Sequence, residues 1–87
     1  TVAAAQAGTV SSVYDDDFLG TVVVIDGTEG LQMVYANLSE MPTVSTGDEV
    51  RAGQVIGRSG GLDASKPLLH FEVRISGKPV DPKEYLP

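Results

Sequence analysis

The segment His70-Phe71-Glu72-Val73-Arg74 carries an imidazole, a carboxylate and a guanidinium at every second position. Leu69, Phe71, Val73 and Ile75 alternate with them, so the segment reads as a half-buried β-strand with its three polar groups on one face. An imidazole beside a carboxylate can move a proton, ligate a metal or hold a hydrogen bond. The rest of the chain narrows that choice. His70 is the single histidine, and there is no cysteine. A catalytic zinc needs about three protein ligands and an open position for water, which one imidazole does not supply. From the residues alone, His70 is expected to be a neutral imidazole hydrogen-bonded within or beside the sheet. The other concentration of charge, Asp15-Asp16-Asp17, lacks the alternating ligands and closing glutamate of a calcium loop. It reads as a solvated turn after a strand.

The elements that must position these groups are short and rich in β-branched residues, punctuated by ten glycines and five prolines. Strands are expected over residues 1–4, 8–14 and 20–26, the last apolar enough to be buried on both faces. Residues 27–30 form a hairpin turn whose glycines supply positive φ, and 31–37 return as the partner strand. Residues 44–57 give two short extended pieces, each closed by a glycine turn, with the Asp48 carboxylate accepting backbone N–H groups. A loop of small and polar residues, 59–66, precedes the His70 strand, and 76–79 turn tightly into Val80. Glu72 and Arg74 are expected to pair across strands. Asp81 as N-cap and Pro82 at the first position predict one helical turn over 81–86. The fold class is all-β, an antiparallel sheet or sandwich with one short C-terminal helical turn, in one domain spanning 1–87.

Charge and composition exclude several functions. Twelve acidic residues face six scattered basic ones, for a net charge of −6, so nucleic acid and anionic lipid would be repelled. No apolar run approaches the roughly 20 residues of a membrane helix. Because residues 1–4 already read as a strand, the chain is expected to be cut at its N-terminus from something longer, with any anchor upstream.

In order, Gly20-Thr21-Val22-Val23-Val24-Ile25-Asp26, Tyr35-Ala36-Asn37-Leu38, the Gly47-Asp48-x-Val50-x-x-Gly53-Gln54-x-Ile56-Gly57 segment, His70-Phe71-Glu72-Val73-Arg74 and Gly77-Lys78-Pro79-Val80-Asp81-Pro82 resemble the lysostaphin/LytM-type zinc metallopeptidase domain. Members of that family cut peptide cross-links in bacterial cell walls, and the resemblance implies its duplicated hybrid motif fold. The family's zinc is held by a His and an Asp that precede the first matched strand, and by the second His of a His-x-His motif. That second His corresponds to His70. The first falls on Leu68, the catalytic His of the Tyr-Ala-His-Leu motif falls on Asn37, and the His after the strand aspartate falls on Gly27. Leu68 has no titratable group, and Asn37 can donate a hydrogen bond but not shuttle a proton. The resemblance thus implies a peptidase scaffold without peptidase activity: no catalytic residue, no metal and no cofactor, with His70 a vestigial ligand position.

What such a scaffold keeps is a groove. Tyr35 and Asn37, two apart, are expected to face the same side as His70, giving Tyr35, Asn37, Leu68 and His70 as candidate partner-binding residues. Inactive members of the family either activate cell-wall amidases or join a forespore membrane protein to a mother-cell membrane protein during sporulation. The wording Asp17-Phe18-Leu19-Gly20-Thr21-Val22-Val23 and Gly30-Leu31-x-x-Val34-Tyr35-x-x-Leu38-Ser39-Glu40 resembles the sporulation branch more. The expected partner is therefore another membrane-anchored protein, a sporulation channel component or an amidase, with peptidoglycan as a further ligand. The expected location is the extracytoplasmic face of a bacterial membrane. A zinc endopeptidase whose remaining ligands lie upstream is the enzymatic alternative.

Overall fold

Alternating valine, isoleucine and threonine drive the chain into strands, and the glycine turns set where it reverses. The computed structural model describes residues 1–39, 42–59 and 69–81. Among them are eight strands: β1 (Val2–Ala3), β2 (Gly8–Asp16), β3 (Gly20–Asp26), β4 (Leu31–Leu38), β5 (Glu49–Val50), β6 (Val55–Gly57), β7 (His70–Ile75) and β8 (Lys78–Val80). All pairings are antiparallel. Six strands form one sheet in the order β5-β2-β3-β4-β7-β8, and β1 pairs with β6 in a second, small sheet.

The main core lies on one face of the large sheet. Val10, Val23, Ile25, Met33, Tyr35 and Val73 project from it against Val2, Ala4, Val44 and Ile56, with Phe71 and Ile75 packed alongside. The opposite face has a narrower apolar strip, Val22, Val34 and Ala36, with Val24 beside it. Both faces of β3 are thus covered, and only Val24 and Asp26 on that strand are half-buried.

Two turns show the local chemistry. Between β3 and β4, Glu29 and Gly30 both adopt positive φ, 57° and 78°, while Gly27 N–H bonds the Leu31 carbonyl at 2.7 Å. Before β5, the Asp48 carboxylate accepts the Ser45 N–H at 2.8 Å, as expected of a turn aspartate.

The acidic run departs from expectation. β2 continues through Asp15 and Asp16, so two of the three aspartates lie in the strand and not in a loop. Their weak strand propensity is overridden by register: Asp15 stands opposite Thr21 and Asp16 opposite Gly20. The Thr21 hydroxyl donates to Asp15 at 2.9 Å. β1 is also shorter than the expected 1–4, although Ala4 still bonds Gln54 across the small sheet. Ser59 bridges to Leu38. The remainder of the expected 59–66 loop, and the helical turn expected over 81–86 beyond Asp81, lie outside the described residues.

Candidate functional site: the polar row of the β7 strand

The register between β4 and β7 decides which side chains share a face. Ala36 stands opposite His70, Val34 opposite Glu72 and Gln32 opposite Arg74, while Tyr35 stands opposite Phe71 and Met33 opposite Val73. Directly paired residues project to the same side. The imidazole, carboxylate and guanidinium therefore rise beside the apolar strip of Val22, Val34 and Ala36, on the face away from the main core.

Tyr35 is consequently not a neighbour of His70 on the groove face, contrary to the sequence expectation. It is 1% exposed and lies in the main core. Its hydroxyl accepts the Ala5 N–H at 2.9 Å and donates to the Met33 sulfur at 3.6 Å. Its ring tilts 46° against Phe71 with centroids 5.0 Å apart. Burial pushes the phenol pKa above its ordinary 10.0, and the Ala5 hydrogen bond offsets part of that rise.

Asn37 breaks the alternation that the expectation relied on. The β3–β4 register shifts between Thr21 and Val23, putting an extra residue into β4, and Asn37 there has φ 60°. Asparagine tolerates this left-handed backbone better than most residues. Its N–H bonds the Leu19 carbonyl, tying the bulge to the β2–β3 hairpin. Leu68, the fourth sequence-derived residue, lies outside the described residues.

The polar row on β7 bonds along its own strand, not across strands as expected. Arg74 Nε donates to Glu72 Oε1 at 2.9 Å, and His70 Nε2 lies 3.6 Å from Glu72 Oε2. The Arg74 hydrogen bond is the largest influence holding the Glu72 carboxyl below its ordinary value. Partial burial opposes it, and the Arg74 charge and the His70 contacts add to the lowering. The same carboxylate raises the Arg74 guanidinium. Glu72 is thus a shared acceptor between two cationic-capable neighbours. The imidazole, with its side chain 53% exposed, stands at the open end of the row.

Among the described residues no three His, Cys, Asp or Glu side chains come together as a metal site. The donor set that a zinc ion would need is not assembled in them: His70 supplies a single imidazole, whose Nε2 faces Glu72. The row can hold hydrogen bonds and present charge.

Sequence reasoning passed over the aromatic residues of the β2–β3 hairpin. Phe18 is 89% exposed at its tip, and Tyr14, opposite Val22 on the groove face, is 44% exposed. The available signal was an aromatic placed between aspartates and Leu19-Gly20 in a turn, where composition predicts polar residues.

The model of peptidase family M23 matches residues 1–82. The chain belongs to this family. Stage II sporulation protein Q of Bacillus subtilis is 39% identical over 88 residues, covering 98% of this chain and 31% of the relative. The murein hydrolase activator NlpD of Escherichia coli is 38% identical over 68 residues, covering 78% of this chain and 18% of the relative. A crystal structure of the SpoIIIAH and SpoIIQ complex contains a chain that superimposes with a TM-score of 0.85 at 35% identity, covering 98% of this M23 chain and 61% of that one. This M23 chain spans less than a third of the length of these two curated relatives.

Proposed function

We propose that this M23 domain is a noncatalytic, extracytoplasmic protein-interaction domain of a membrane-anchored protein, and that it holds a second membrane-anchored protein in a sporulation channel or engulfment complex between forespore and mother cell. The observation that carries the noncatalytic part is the β7 row. Among the described residues its imidazole is paired with a carboxylate that also accepts from Arg74, and no further metal donors gather there. The sporulation part is supported by the likeness to stage II sporulation protein Q and to a chain of the SpoIIIAH and SpoIIQ complex. Asn37 and His70 are the described positions proposed to meet the partner; Leu68, the further candidate from the sequence, lies outside the described residues.

The test is binding of the full-length protein to a SpoIIIAH-type partner, with wall-peptide cleavage assayed on the same preparation. A saturable complex and no cleavage is the expected result. Cleavage of cross-bridge peptides with no complex would reject the reading. Amidase activation is the second reading, favoured by the likeness to NlpD. It predicts faster hydrolysis by a purified amidase on addition of this protein, with no binding to the channel partner.

A further inference from the structure

Phe18 is held out in water by a fixed turn. The Asp16 carboxylate accepts the N–H groups of Phe18 at 2.7 Å and Leu19 at 2.9 Å. The Leu19 carbonyl is bonded by Asn37 N–H, and Gly20 closes the turn at φ 75°. A phenylalanine 89% exposed on such a tip leaves apolar area hydrated that no contact within the described fold recovers.

The strand leading to it has an open edge. β5 pairs with β2 only at Gly8 and Thr9, and Val10 bonds Asp48 and Gly47 through its backbone. β2 ends at Asp16, and among the described residues no strand lies against its outer edge from Ser12 onward. Tyr14, 44% exposed, belongs to this stretch. Asp15, Asp16 and Asp17 flank it. Charged residues on an edge repel a second copy brought edge to edge, which disfavours pairing of this chain with itself. The same charges attract a strand of opposite sign.

We propose that the end of the β2–β3 hairpin, residues 12–19, is a docking edge for an extended, cationic segment of a partner protein, which adds to β2 as a further strand and takes Phe18 into an apolar pocket. This inference rests on the interaction-domain reading and adds to the Asn37 and His70 positions a second surface, with the chemistry of the partner segment that it takes. Main-chain hydrogen bonds along the edge supply affinity, Phe18 and Tyr14 supply selectivity, and the aspartates steer encounter.

The experiment uses the full-length protein and the partner of the binding assay above, comparing wild type with Phe18→Ala, Asp17→Lys and, as a control at the opposite hairpin, Glu29→Lys. Phe18→Ala is expected to weaken binding about tenfold or more. Asp17→Lys is expected to slow association, with the difference shrinking as salt rises. Glu29→Lys should bind as wild type. Asp17, Phe18 and Glu29 are exposed, so all three variants should melt as wild type does, and amide exchange at residues 12–16 should slow in the wild-type complex. If wild type binds while Phe18→Ala and Asp17→Lys bind equally well, the docking edge is overturned and the interaction reading stands. If wild type does not bind, the interaction reading itself has failed.

Discussion

The Tyr35 hydroxyl joins the two sheets, because Ala5 follows β1 of the small sheet while Tyr35 and Met33 belong to β4 of the large one. Tyr35→Phe keeps the ring against Phe71 but strands the Ala5 N–H, and is expected to cost about 1–3 kcal/mol in urea denaturation. A second effect is expected at high pH. The folded phenol pKa lies above the unfolded one, so its contribution is complete below pH 10 and is lost as pH rises through the folded value. Tyr35→Phe should flatten that alkaline loss. Glu72 has the opposite sign: its folded pKa is depressed, so its contribution is complete above the ordinary 4.5 and fades as pH falls through the lower folded value. Thermal melts across the acid range should show Glu72→Gln losing less stability than wild type. Equal acid limbs would mean that the Arg74 pairing seen here does not persist in solution.

Strand pairing governs the element scale. Gly8 opens β2 where a Cβ would run into the Asp26 backbone oxygen and come within 2.7 Å of the Ile25 Cγ2. Gly8→Ala should therefore destabilise by about 1–3 kcal/mol, read as a lower denaturation midpoint. The strand pattern was legible because valine, isoleucine and glycine encode it locally: β3 runs over Gly20–Asp26, matching the expected 20–26. Facing was less legible. A period of two places Tyr35 and Asn37 on one side, but which side depends on the partner strand, and the extra residue in β4 breaks the period at Asn37. The same gap explains the misjudged Glu72–Arg74 pairing, since residues two apart on one strand share a face and reach each other as readily as a neighbour across it. β2 outran its expected end because its hydrogen-bonding partners on β3, and not the strand propensity of aspartate, set its length. The proposed groove residues came from motif positions together with the period of two, and Phe18 was passed over because no periodic rule predicts an exposed aromatic.

For the whole molecule, the M23 scaffold is the part that the comparisons carry, and the proposed noncatalytic role rests on the β7 row. The sheet, its core and its turns are those of the family, and the likeness extends over residues 1–82. Of the groups that the family's hydrolysis requires, the described residues offer one imidazole bound into a Glu72–Arg74 row. The net charge of −6 on these 87 residues attracts cationic surfaces and repels polyanions. The most direct measurement is metal content together with cross-bridge peptide turnover, made on the full-length protein after incubation with zinc and gel filtration. The account predicts zinc well below one ion per chain and no turnover above buffer. One zinc per chain, lost with His70→Ala and accompanied by peptide cleavage, would contradict it.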